Sequence, residues 1–267
     1  MLPTPSTSHV PYARVYEPAE DSFLLLDTLS APSETAFLAA RFPSSSSSSS
    51  SPSSPPPLVL EVGPGSGVVL AFLTAHAAAL FSRRDVLTLG VDVNRFACAA
   101  TGETVRRAVR DDSASSSGGG DNVSVSGSGA GYFLGAAQGD LAGAVRPGTV
   151  DVLVFNPPYV PTAELPSMRQ EEGGTVGYEE DSRLLALSYA GGRDGMEVTE
   201  RLIEALPGVL SGRGVAYLLL CAQNKPEEVK ARIRKMGREG EWRAETVGTS
   251  GKQAGWEKLQ IVRIWRD

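Results

Sequence analysis

The stretch LVLEVGPGSGVVLAFLTAHAAALF (58–81) joins three kinds of sequence in one run. LVLEVG (58–63) is a short, Val- and Leu-rich segment of the kind that a strand buried on both faces needs. GPGSG (63–67) breaks it with three glycines, and GVVLAFLTAHAAALF (67–81) has the length and the alanine content of a helix. The same alternation continues outward. EDSFLLLDTL (20–29) has a helical pattern, and VLTLGVD (86–92) reads as a strand before a helix over NRFACAATGETVRRAVR (94–110). GYFLGAAQGD (131–140) holds a short strand, VDVLVF (150–155) is a strand, and GMEVTERLIEALPGVL (195–210) is a helix. GVAYLLLCA (214–222) is a strand, PEEVKARIRKMG (226–237) opens a helix on Pro226, and KLQIVRIW (258–265) alternates as a closing strand. Strand–helix alternation of this kind predicts an α/β fold, doubly wound about a largely parallel sheet.

Composition narrows the function. The 267 residues, 41% hydrophobic and 21% charged, suit one soluble domain over 1–267. Two tracts interrupt it without dividing it: PSSSSSSSSPSSPPP (43–57) and DDSASSSGGGDNVSVSGSGAG (111–131), whose composition cannot pack a core and predicts flexible inserts. The two cysteines, Cys98 and Cys221, lie far apart and predict a reducing compartment, the cytoplasm or the nucleus. With only His9 and His76, the sequence argues strongly against a Ser-His-Asp triad or a His-rich metal site, and no metal is expected. A net charge of −6 argues against a partner held by many phosphate contacts. No run reaches the ~20 apolar residues that span a bilayer.

In such sheets ligands bind at the carboxyl ends of the strands. Those ends carry Glu61 with GPGSG, Asp92 in GVDVN, Asp140 in QGDL, and NPPY (156–159). The glycine loop alone could be no more than a tight turn. It fits a dinucleotide fingerprint badly, because Gly63 and Gly65 match G-x-G-x-x-G but Val68 stands in the third place. It instead allows close approach of a nucleoside without a pyrophosphate. Asp92 can accept from both ribose hydroxyls or simply cap the following helix. Asp140 can accept from an adenine amino group or start a turn. Glu61 can accept from a cationic amino group, and a buried carboxylate needs such a partner.

A plain turn after VDVLVF needs one proline, not Asn-Pro-Pro-Tyr. A planar amide or aryl amine is a poor nucleophile because its lone pair is delocalised. A site that accepts both N–H bonds can hold that lone pair toward an electrophile. Asn156 offers a side-chain carbonyl, Pro157 a main-chain one on rigid backbone held further by Pro158, and Tyr159 a wall for the planar group. No histidine base is required, because the proton can leave after methyl transfer.

Together VYEPAEDSFLLLDTL (15–29), LEVGPGSGVV (60–69), VFNPPYVP (154–161) and AGGRDGMEV (190–198) resemble the eukaryotic and archaeal HemK-like branch of class I S-adenosylmethionine-dependent methyltransferases. The resemblance implies a Rossmann-like, seven-stranded, mostly parallel sheet with an antiparallel last strand. It implies methylation of the glutamine side-chain amide in the Gly-Gly-Gln motif of the eukaryotic class I release factor, and so a role in translation termination. Histone lysine methylation has been proposed for some members. Carried over by motif, Ser22, Glu61, Gly63, Gly65, Gly67, Asp92, Asp140, Leu141 and Asn156 line the S-adenosyl-L-methionine pocket. Asn156, Pro157, Pro158, Tyr159 and Val160 hold the target amide.

The resemblance also implies a small zinc-binding activator subunit in a heterodimer, and a release factor bound with its GTPase partner. The third strand, YFLGAA (132–137), falls at a sheet edge in that fold and lacks the charges or prolines that protect edges, so the activator is expected there. Pro64, which removes a donor from the loop, and Tyr189, where relatives carry Trp, depart from the pattern. The acidic run Glu164, Glu171, Glu172, Glu179, Glu180 and Asp181 reads as a solvated loop rather than a docking surface. An adenine methyltransferase acting on nucleic acid shares the Asn-Pro-Pro-Tyr logic but should carry a basic groove. A non-catalytic scaffold should have lost Asn156 or Asp92.

Overall fold

The computed structural model describes residues 2–44, 54–115, 129–167, 178–238, 240–250 and 258–267. Its strands are β1 (Leu58–Val62), β2 (Leu87–Asp92), β3 (Tyr132–Gln138), β4 (Val150–Phe155), β5 (Leu210–Cys221), β6 (Trp242–Thr249) and β7 (Leu259–Arg266). They form one seven-stranded sheet in the order β3-β2-β1-β4-β5-β7-β6. β1 pairs in parallel with β2 and β4, β2 with β3, and β4 with β5. β7 runs antiparallel to both β5 and β6. The chain winds outward from β1 to β3 and then returns to lay β4 against the other side of β1. That reversal opens a crevice above the carboxyl ends of β1 and β4.

The period-two alternation of the strands divides the core between the two faces. Val152 and Val154 of β4 point to one face with Leu25 and Leu29 of α1 (Glu20–Leu29), Leu38 of α2 (Pro32–Arg41) and Phe72 of α3 (Val68–Ala75). Leu153 and Phe155 point to the other with Leu202, Ile203 and Leu206 of α7 (Glu197–Val209) and Ile233 of α8 (Pro226–Ile233). A fully buried side chain of this size contributes ~1.5–3 kcal/mol, so β4, buried along its whole length, is a stiff mount for the Asn-Pro-Pro-Tyr segment at its end.

Several elements differ from the sequence expectation. The helix over 67–81 is two, α3 and α4 (Ala77–Phe81), broken at His76. The cause is the approach to β3: Gly131 N–H donates to Thr74 O at 2.8 Å, and Ala78 N–H to Gly129 O at 2.8 Å. In an unbroken helix Thr74 O and Ala78 N–H would bond each other. α5 (Arg95–Ser115) runs past Arg110 into the Ser/Gly tract; of the two expected inserts, residues 45–53 and 116–128 lie outside the described residues. Glu179, Glu180 and Asp181 are not in a loop but in the first turn of α6 (Tyr178–Tyr189), where acidic side chains favour the helix dipole. Asp181 is ion-paired to Arg14 at 2.7 Å; Glu171 and Glu172 lie outside the described residues. Finally, α2 and β6 have no counterpart among the elements expected from sequence. Pro32 in the first turn was a usable signal for α2. β6 hides because the buried Trp242 and Ala244 alternate with the exposed Arg243 and Glu245, the charge pattern of a protected edge. Among the described residues no helix is long and apolar enough to cross a membrane.

Candidate active site

The turn after β1 is built from glycines in left-handed backbone, with φ of +62° at Gly63, +54° at Gly65 and +80° at Gly67. They serve two different ends. Gly63 and Gly65 line the crevice. Gly67 does not: a Cβ there would stand 2.6 Å from Thr101 Cα, so this glycine lets the start of α3 pack against α5. Pro64 lacks an N–H to donate, but its carbonyl accepts from Gly67 N–H at 2.7 Å and closes the turn.

Three acids stand around this turn. Glu61 is 3% exposed, and its Oε2 has no protein partner. Burial pushes its carboxyl up to about 8, opposed by a hydrogen bond from the Leu70 backbone and aided by the Asp92 charge. Asp92 caps the helix that follows it and also braces the glycine turn. Its Oδ1 accepts from Asn94 N–H at 2.8 Å at the start of α5, and its Oδ2 accepts from Gly65 N–H at 3.1 Å, tying β2 to the glycine turn. Burial raises it to about 6 in spite of those bonds. Each oxygen keeps one lone pair for a ligand in the crevice. Asp140, at the rim, is ion-paired to Arg201 of α7, and Leu141 beside it takes φ of +50°.

At the end of β4, Asn156 turns its amide toward α1. Its Nδ2 donates to Asp21 Oδ2 at 3.1 Å, while its Oδ1 is buried with no protein partner. Ser22, next to Asp21, donates to Asp21 Oδ1 from its own N–H at 2.6 Å. The rest of the Asn-Pro-Pro-Tyr segment is clamped from behind. Val160 N–H donates to Tyr189 O at 2.9 Å, Gly191 N–H to Val160 O at 2.8 Å, and Thr162 N–H to Gly192 O at 3.0 Å. A Cβ at Gly191 would meet Pro158 O at 2.4 Å, so the AGGRDG segment carries glycine where backbone lies on backbone. Asn224, 3% exposed, closes the clamp: its Nδ2 donates to Asp194 O at 3.1 Å and to Tyr159 O at 3.3 Å, while its Oδ1 accepts from Cys221 N–H at 2.8 Å.

One cleft therefore gathers Ser22, Glu61, Gly63, Gly65, Asp92, Asp140, Leu141 and Asn156 to Val160; of the residues expected from sequence, only Gly67 stands outside it. Sequence reasoning missed Asp21, Tyr16, Asn224 and Arg201. Asp21 and Tyr16 lay inside the quoted VYEPAEDSF segment and could have been found there. Asn224 and Arg201 carried no local signal, because only the fold brings them near.

The cleft fits S-adenosylmethionine on its own features. Glu61 Oε2 is an orphan acceptor suited to a cationic amino group, Gly63 and Gly65 present no Cβ to a nucleoside, and Asp92 offers acceptors at the end of β2. A doubly wound seven-stranded sheet with an antiparallel last strand and this cleft defines a class I S-adenosylmethionine-dependent methyltransferase. Methyltransferase HEMK2 of Mus musculus is 35% identical over 98% of this chain and 96% of its own length. HEMK2 of Homo sapiens is 33% identical over 98% and 95%, and the eRF1 methyltransferase catalytic subunit mtq2 of Schizosaccharomyces pombe is 31% identical over 100% and 96%. The chain belongs to this HEMK2 family of methyltransferases. No family model matches it.

Proposed function

We propose that this chain methylates the side-chain amide nitrogen of the glutamine in the Gly-Gly-Gln motif of the class I release factor eRF1. The observation that carries the reading is the buried, unpartnered Oδ1 of Asn156, an acceptor held ready beside the glycine turn. The relative in S. pombe bears the name of an eRF1 methyltransferase catalytic subunit, which supports the same substrate here.

S-adenosylmethionine, when bound, supplies an electrophilic methyl group on a sulfonium. The chain's own residues do the rest. Asn156 Oδ1 and the Pro157 carbonyl accept the two amide N–H bonds, which fixes the plane of the amide so that the nitrogen lone pair, projecting from its face, points toward the crevice. Pro157 and Pro158 fix the backbone, so that the acceptors need no reorganisation during reaction. Tyr159 walls the planar group and, with the apolar Val160, Leu165 and Leu184, excludes water. The surplus proton leaves after transfer, so no base is required.

A "catalytic subunit" also points to a second chain. The reading adds a small zinc-binding activator on the free edge of β3, where Tyr132 is 63% and Leu134 56% exposed. The release factor is taken with its GTPase partner, in the cytoplasm. The test is methyl transfer from labelled cofactor to purified release factor, to its Gly-Gly-Gln→Gly-Gly-Ala form and to duplex DNA, each with and without the activator. Label on release factor alone, dependent on the glutamine, is expected. Label on the alanine form or on DNA would overturn the reading.

A further inference from the structure

We propose that Asp21 is a positioning residue: its carboxylate fixes the Asn156 amide with the carbonyl oxygen facing the target nitrogen. The proposal rests on the glutamine-amide reading for its kinetic test, but its geometry stands alone.

An asparagine amide has two orientations that differ by a flip and place a donor or an acceptor at the same point. At the end of β4 the choice decides whether position 156 can receive an N–H at all. An ionised carboxylate accepts and cannot donate, so Asp21 Oδ2, 3.1 Å from Asn156 Nδ2, is compatible with the NH2 end only. The flip would set two acceptors against each other in a site where Asp21 is 3% exposed. With the NH2 end taken, Oδ1 is left over, and it is the buried atom without a protein partner.

Asp21 is itself held from several sides. Ser22 donates to its Oδ1 from N–H at 2.6 Å and from Oγ at 3.2 Å. Tyr16 OH donates to Oδ2 at 3.1 Å, and Tyr159 OH makes a longer contact with it at 3.5 Å. The carboxylate lies in the first turn of α1, where the helix field favours a negative charge. Tyr16 and Ser22, at the wall of the cleft, thus aim Asp21, and Asp21 aims Asn156.

Asp21→Asn tests this, because an amide at position 21 can donate to Asn156 Oδ1 as well as accept from Nδ2, and the flip is no longer forbidden. Loss of a hydrogen bond to a charged group predicts a fall in kcat of about 10- to 100-fold. Cofactor affinity by calorimetry and the KM for release factor should change less than about threefold. The exchanged pair Asp21→Asn with Asn156→Asp keeps a donor at 21, an acceptor at 156 and a free oxygen toward the target. It should be more active than Asn156→Asp alone. A merely structural role for Asp21 predicts the opposite, a double variant carrying both losses. One readout does not depend on the substrate: the Asn156 side-chain NH2 signal, identified by its disappearance in Asn156→Asp. It should exchange with solvent at least about tenfold faster in Asp21→Asn. Unchanged exchange, or a double variant no better than Asn156→Asp, would overturn the proposal. Failure of the wild-type chain to label release factor would instead count against the substrate reading and leave the exchange measurement to decide.

Discussion

Gly195 lies directly beneath Tyr159: a Cβ on Gly195 would stand 2.0 Å from the Tyr159 carbonyl oxygen. Gly195 also takes φ of +66°, so a side chain there is strained as well as obstructed. Gly195→Ala must therefore displace the Asn-Pro-Pro-Tyr backbone while leaving the glycine turn and Asp92 untouched. Misplacement of an acceptor by an ångström can cost about 10²-fold in rate. We expect kcat to fall on that order with cofactor affinity retained, measured by steady-state kinetics beside calorimetry. Gly208→Ala in α7, whose Cβ would meet nothing within 4 Å, is the control and should keep full activity.

Asn156→Ala removes an acceptor that the protein leaves open. Loss of a comparable preorganised hydrogen bond at a reacting centre costs about 10²–10³ in kcat. Methyl transfer is expected to fall at least that far. Cofactor affinity should fall much less, since Glu61, Asp92 and the glycine turn stand on other strands. Methylation of release factor at the wild-type rate would remove the role assigned to Asn156.

The fold was legible where burial on both faces leaves a nearly continuous apolar run, as in β1 and β4, each broken by a single acid (Glu61, Asp151), and at the end of β5. It was illegible where one face is wet. Trp242 and Ala244 are the only buried residues among the first four of β6, and the charged Arg243 and Glu245 that alternate with them mask the strand. The break at His76 has no cause within residues 67–81, since the groups that divide α3 from α4 are Gly129 and Gly131. In the site, residues at strand ends could be named because the topology sends those ends to one crevice. Asn224 could not: its importance lies in reaching Tyr159 and Asp194, far from it in the chain. Gly67 was assigned to the cofactor pocket because it belongs to the motif, yet what it accommodates is Thr101.

β3, the outermost strand on its side of the sheet, carries a bulge in its pairing with β2. Thr88 pairs with Phe133 and Leu89 with Gly135, which leaves Leu134 unmatched and exposed. A bulge limits open-ended strand pairing, and an apolar side chain left on it suits a fixed partner. Leu134→Arg is expected to abolish co-purification with the proposed activator, read by size-exclusion chromatography, while calorimetry finds cofactor bound as in the wild type. An intact complex would place the partner elsewhere.

Glu34 joins α2 to the sheet. Its carboxylate accepts from Arg263 Nη1 at 2.9 and 3.0 Å and from Tyr217 OH at 2.9 Å, all with little solvent access. Removing one member of a buried pair costs about 3–5 kcal/mol, and here it would leave Arg263 only the exposed Glu245 at 3.3 Å. Glu34→Ala should lower the unfolding free energy in urea by that amount. Tyr217→Phe, which keeps the ion pair, should cost about 1 kcal/mol.

Glu61 gives the chain a pH dependence whose sign is fixed by its burial. Its folded carboxyl is raised to about 8 and that of Asp92 to about 6, both chiefly by burial and both above their unfolded values. The native state therefore holds these protons more tightly than the unfolded chain. Their contribution to stability is complete below the ordinary carboxylate range and is lost as pH rises through about 6 for Asp92 and about 8 for Glu61. Cofactor binding runs the other way. A cationic amino group needs Glu61 ionised, so near neutral pH binding should release on the order of one proton, and affinity should climb toward pH 8. Calorimetry in two buffers of different ionisation enthalpy counts that proton. Glu61→Gln should abolish the release, weaken cofactor binding and flatten the loss of urea stability between about pH 6 and about pH 8. If the variant releases as many protons as the wild type, Glu61 is not the group that meets the cofactor's amine.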